Sequence, residues 1–249
     1  MNRNETFNAM DIHTLAARTV WATLEVVVDD VDNLQVLVAG DDDHVEDLKA
    51  AVEDGKLVVE QPARSFTPKL TTVRWMQVTI RVPKDWKGAV EAETVSGPLK
   101  ARGLDGSDLA LETISGDIRA TSLRGISVKM GTVTGQISAS GVRTAKLNLR
   151  TISGSVRLEA SQAKEVRLNS VSGAIHLELT EPFERIEGNA VSGDVRISVP
   201  MRKAHVGFRS VTGPLRTSGV SIVDEAPPVS ITSVSGGLYL STSLEEPAD

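Results

Sequence analysis

The chain has 249 residues, no cysteine and a formal net charge of −6 at pH 7. Disulfides and thiolate metal sites are therefore excluded, and an acidic balance argues against general nucleic-acid binding. Apolar residues make up 40% of the chain but aromatics only 3%, so a core must come from Val, Ile, Leu and Ala, which suit stacked strands.

Residues 1–22 are polar and mixed and read as a leader, with Phe7, Met10, Ile12, Leu15 and Trp21 as packing anchors. They hold no apolar run of signal-peptide length, and no segment reaches the roughly 18 apolar residues of a membrane span. The expectation is a cytoplasmic chain with no transmembrane segment, which leaves peripheral membrane association open. Residues 24–28 and 34–38 read as strands around a polar turn. Val45, Leu48 and Val52 have helical spacing, so a short helix is expected over 44–53. Residues 56–61 form a strand, 62–68 a loop and 72–82 a longer strand. The region 23–88 thus reads as an irregular β cap at the N-terminal side.

From residue 89 a period takes over. A motif of Thr or Ser, Val or Ile, Ser or Thr, Gly, any residue and an aliphatic residue recurs with glycines at Gly97, Gly116, Gly135, Gly154, Gly173, Gly193, Gly213 and Gly236. The first five glycines are nineteen residues apart, the next two steps are twenty and the last is twenty-three. A fixed period of this length signals stacked repeats. Aligned on the glycines, the apolar residues fall into columns such as Val95, Ile114 and Val133, or Leu99, Ile118 and Ile137. Spacing of two predicts strands with these columns on one buried face. The fold expected is all-β: a single-stranded parallel β-helix, or β-solenoid, of about eight rungs of 19–23 residues over 89–242. An acidic tail follows at 243–249.

Chemistry is harder to find. The repeated hydroxyls, such as Thr113 and Ser115, recur in copy after copy, with Ala190 the exception in the first column, which marks them as corner residues rather than a nucleophile with its base. Glu159 and Glu178 occupy equivalent places in successive copies, and stacking would bring their carboxylates about 5 Å apart, within the range of a retaining glycosidase pair. No aromatic platform for a sugar accompanies them. No catalytic residue, metal ligand or cofactor is expected. The candidate binding feature is an outward column, Lys100, Arg119, Arg157, His176, Arg196 and Arg216. Stacking would align it into a stripe suited to an anionic envelope polymer or a phospholipid surface.

The repeats resemble a bacterial family known as putative adhesins with β-strand repeats. The marks are Arg81-Val82-Pro83 leading to Thr94-Val95-Ser96-Gly97, then Thr113-Ile114-Ser115-Gly116-Asp117-Ile118, then Val191-Ser192-Gly193-Asp194-Val195. The resemblance covers about residues 24–240. It implies a β-solenoid, no known catalytic residues and, in some relatives, a link to envelope stress. The leading expectation is a non-enzymatic solenoid scaffold, partnered with itself by end-to-end rung stacking or with another protein. An envelope-binding, adhesin-like protein is the alternative, and a polysaccharide-active enzyme the third reading.

Overall fold

The computed structural model describes residues 1–62 and 75–244. From Ala89 each copy of the motif makes one layer of two short strands. Leu99–Arg102 buries Leu99 and Ala101 and exposes Lys100 and Arg102. Asp105–Thr113 turns Leu109, Leu111 and Thr113 inward. Strands of the first kind stack into one wall: Leu99–Arg102, Ile118–Thr121 and Ile137–Ser140 pair in parallel, with Ile118 facing both Leu99 and Ile137. Strands of the second kind stack into a second wall, where Thr94, Thr113, Thr132 and Thr151 lie in one row. Between the walls runs one continuous apolar core, which draws on residues from Ile12 to Leu240.

Two corners join the walls in each layer. At the first, the Thr or Ser before the motif glycine points inward and accepts a hydrogen bond from that glycine's N–H, as in Gly116 N to Thr113 Oγ1 at 2.9 Å and Gly236 N to Ser233 Oγ at 2.8 Å. These hydroxyls are buried, so the bond also satisfies them. The glycine is required by close approach. A Cβ on Gly116, Gly135 or Gly154 would overlap the carbonyl oxygen of the motif glycine one layer before. The second corner needs left-handed backbone at Gly103 (φ 73°), Ser122 (φ 55°), Gly141 (φ 65°) and Ala160 (φ 47°). A residue with a Cβ is strained there.

The ends are built differently. At the N-terminal end, Thr14–Thr19 lies between Lys56–Glu60 and Ala89–Thr94. Thr23–Asp29 likewise lies between Met76–Pro83 and Leu99–Arg102. The earliest strands are therefore inserted beneath later ones. Beyond them the pairing turns antiparallel: Leu34–Gly40 runs against Met76–Pro83, Asn2–Phe7 against Leu34–Gly40, and Lys49–Glu53 against Lys56–Glu60. At the C-terminal end, Pro228–Ser233 lies between Arg185–Ala190 and Lys203–Arg209, and Leu238–Thr242 between Val195–Val199 and Leu215–Ser218. The chain passes one level at 200–202, completes the outermost layer, then drops back to fill the level it left.

This order corrects the expected fold. An open, purely parallel β-solenoid would carry its rungs in chain order. Here the described strands join one 23-stranded sheet of mixed parallel and antiparallel pairing, wrapped round its core into a nearly closed, barrel-like body. The growing scaffold falls with it, because the last repeat in sequence is not the last in space. Leu240, which a stacking end would expose, is 1% exposed between Ile197 and Thr217.

Smaller expectations shift too. The residues read as a leader form the strands Asn2–Phe7 and Thr14–Thr19. The helix is present but spans Asp42–Asp47, and Lys49–Glu53 is a strand. The loop expected at 62–68 falls on the described residues only at Pro62. The first part of the strand expected over 72–82 and the acid-rich end of the tail, 245–249, lie outside them.

Candidate functional site

The basic column becomes a continuous line on the outer surface of the first wall. Lys100 pairs with Arg119, Arg119 with Ser138, Ser138 with Arg157, Arg157 with His176, and His176 with Arg196. The swapped layers then put Tyr239 next to Arg196 and Arg216 after Tyr239. All six residues named from sequence lie in this row. Interstrand spacing of about 4.8 Å sets their separation.

Three of the arginines carry an internal partner. Arg119 reaches Asp117 at 3.2 Å, Arg157 reaches Glu159 at 3.0 Å and Arg196 reaches Asp194 at 2.9 Å. Each pair joins residues two apart in sequence, Asp117 and Asp194 standing just before the strands of their arginines, with both side chains reached by solvent. Such exposed pairs contribute about 0–1 kcal/mol and hold no cation against a competing anion. The Arg196 guanidinium also lies 4.8 Å above the Tyr239 ring, a stacking contact that fixes its plane. Among the described residues Lys100 and Arg216 form no ion pair.

The first corner holds the feature that sequence reading placed wrongly. The column Val95, Ile114, Val133, Ile152, Val171, Val191, Val211 and Val234 was expected in the core. Ile114 is 51% exposed, Ile152 40%, Val191 45% and Val211 78%, and Val133 is half-buried. The reason is a change of parity. Thr113 ends its strand facing inward, Ile114 and Ser115 form the outside of the turn, and Gly116 faces inward again. Counting by twos back from the glycine crosses the turn and lands on the wrong side. The result is a ridge of β-branched apolar side chains along the corner. Beside it runs the second hydroxyl column, whose members other than Thr212 donate to a carbonyl in the adjoining layer, as Ser115 Oγ does to Val95 O at 3.1 Å and Ser153 Oγ to Val133 O at 3.2 Å. These hydroxyls are therefore engaged with backbone.

The ladder does not pair Glu159 with Glu178. Glu159 lies opposite Ser140 and Glu178 opposite Ser198. The ladder between their strands shifts register after Leu158, resuming at Ser161 and Leu179. Ala160, with φ 47°, makes that bulge. Among the described residues, no group of three or more His, Asp or Glu is placed to hold a metal ion, and no helix is long and apolar enough to cross a membrane.

The family model described as Toastrack DUF4097 matches residues 15–221. The chain belongs to this family. No curated protein matches it significantly. Among solved structures, the Toastrack chain is similar to a putative adhesin from Bacteroides fragilis, at 15% identity, a TM-score of 0.60 and 97% of both chains covered. It is also similar to a putative adhesin from Parabacteroides distasonis, at 11% identity, a TM-score of 0.60 and 97% of both chains covered. A third similar structure, from the same species, is described as a putative lipid binding protein; there the identity is 15%, the TM-score 0.55 and the coverage 98% of this chain and 97% of that one. At these identities the likeness is one of fold. It matches the adhesin resemblance that the Val-Ser-Gly repeats suggest.

Proposed function

We propose that this Toastrack protein is a non-catalytic, adhesin-like binder of the cell envelope, and that the stripe from Lys100 to Arg216 is its contact surface. The observation that carries the reading is the in-register row of cations on an exposed wall. Cations that recur mostly in every second layer, with Ser138, His176 and Tyr239 between them, suit a repeating anion, such as the phosphates of an envelope polymer or surface. The names of its structural neighbours point the same way. A catalytic role finds no support in the shifted carboxylates or in hydroxyls bonded to backbone. Our reading places the chain at the cytoplasmic face of the membrane, with which a cysteine-free sequence is compatible.

The test is sedimentation of the purified chain with anionic envelope material: isolated cell walls, and vesicles containing phosphatidylglycerol. The wild type is expected to pellet at low salt and to be released as salt shortens the screening length. Arg157→Glu/Arg196→Glu is expected to bind at least about ten-fold more weakly, given about 1 kcal/mol per cation near an anionic surface. Equal pelleting of that variant, or none by the wild type at low salt, overturns the proposal.

A further inference from the structure

The ridge and the stripe keep a constant relation. In every layer the residue five places after the ridge residue belongs to the stripe row: Ile114 leads to Arg119, Ile152 to Arg157, Val191 to Arg196 and Val211 to Arg216. Five residues span at most about 17 Å even when straight, so an apolar edge and a cationic row run side by side for the length of the body. Eight layers extend this double track over about 34 Å. Water-facing valine and isoleucine singly need no explanation, but a continuous line of them beside a line of cations does.

Two properties decide what such an edge fits. The ridge is one side chain wide and about half exposed, so its apolar area is a few hundred Å² at most, below the roughly 800 Å² per partner of a stable protein interface. A second copy would also oppose cations to cations. A hydrophilic polyphosphate chain would match the stripe and leave the ridge in water. An anionic bilayer satisfies both rows: aliphatic side chains at the apex of a corner enter the interfacial zone, while the neighbouring cations meet lipid phosphates.

We infer that the Val95–Val211 ridge and the Lys100–Arg216 stripe together form a docking edge for an anionic lipid surface. This rests on the envelope-binding reading above and narrows it from anionic envelope material to the bilayer. Acidic side chains on the same flank, Glu25, Asp117, Glu159, Glu178 and Asp194, moderate the attraction, so the ridge contributes a substantial share of the affinity. Binding therefore needs both anionic lipid and an intact ridge, and its salt dependence is shallower than that of a purely electrostatic site.

The experiment uses the full chain with three probes: phosphatidylcholine vesicles, the same vesicles with phosphatidylglycerol, and soluble poly(glycerol phosphate). Ile114→Ser/Ile152→Ser removes two exposed side chains at surface positions, and circular dichroism verifies its fold. The variant is expected to bind phosphatidylglycerol vesicles about ten-fold more weakly than wild type, and Arg157→Glu/Arg196→Glu to bind them weakly too. None of the three proteins should bind phosphatidylcholine alone. Unchanged vesicle binding by the isoleucine variant, or binding of the soluble polymer without vesicles, overturns the bilayer inference and leaves the stripe reading standing. Binding to none of the three probes overturns both.

Discussion

The middle of this molecule and its two ends use the same strands under different rules. Between 89 and 199 each layer sits on the one before it in sequence, with nineteen or twenty residues per step. At the ends, chain order and spatial order part company. Thr14–Thr19 and Thr23–Asp29 slide under layers made later, and Pro228–Ser233 fills a level the chain has already passed. In a simple stack the outermost layer is the chain end and frays freely. Here the last strand, Leu238–Thr242, is pinned between two layers and cannot peel away without disturbing its neighbours, while at the other end Asn2–Phe7 is held on one side by Leu34–Gly40. Repetition supplies the pattern in the middle, and interleaving closes the pattern at the ends.

The largest expected effect sharpens the rule of the middle. Gly135→Ala would drive a Cβ into the Gly116 carbonyl, a rigid backbone contact, whereas Gly131→Ala, with its nearest neighbour at 3.8 Å, meets ordinary space. Denaturant unfolding is expected to show a loss of about 3 kcal/mol or more for Gly135→Ala and less than about 1 kcal/mol for Gly131→Ala. Similar losses at both sites would mean that the glycine column is not set by the layer spacing.

The second prediction tests the interleaving. Native-state hydrogen exchange is expected to protect the amides of Leu238–Thr242 more strongly than those of Leu215–Ser218, although the former lie nearer the chain end. The difference should reach the range between local fraying and global opening, several kcal/mol. Exchange that simply speeds up toward the C-terminus would contradict the swapped order.

The smallest effect concerns the second corner. Ser122 holds φ 55° where Gly103 and Gly141 stand in the neighbouring layers. Ser122→Gly is expected to stabilise the fold by about 1 kcal/mol by relieving left-handed strain, read as a raised thermal midpoint. A lowered midpoint would show that the Ser122 side chain contributes more than its backbone costs.

The sequence carried the regular part because period and register are the same information. Equal spacing of the glycines forces equal residues into rows, and the stripe follows from the rows. Three features stayed hidden for physical reasons. The ridge was misplaced because a tight turn changes the inside–outside alternation that spacing arguments assume. The second corner is marked by glycine only at the scattered positions Gly103, Gly141 and Gly219, since Ser122 and Ala160 adopt the same backbone without the glycine signal. The first layer was missed because Thr19-Val20-Trp21-Ala22 is a degraded copy of Thr94-Val95-Ser96-Gly97. The Ala22 carbonyl occupies the place beneath Gly97, and Gln61 Oε1 accepts from the Val20 and Trp21 N–H groups at 2.8 and 3.2 Å. A side chain from another segment thus stands in for the layer that would otherwise lie below. The swapped end left no local mark beyond the twenty-three-residue step, because strand order is decided by which edge is free when the chain returns.

The interleaved ends also set where such a protein can lengthen over evolutionary time. A duplication of nineteen residues between Gly116 and Gly135 would add a layer whose glycine fits the carbonyl below it and offers its own to the layer above. The stripe would gain one residue in the same register. A copy added directly after Thr242 could not stack on that strand, which is already held on both sides, and would have to reach across to the edge of Leu215–Ser218 in the outermost layer. Growth in register is therefore simplest in the interior, where the number of layers can change without rebuilding either end.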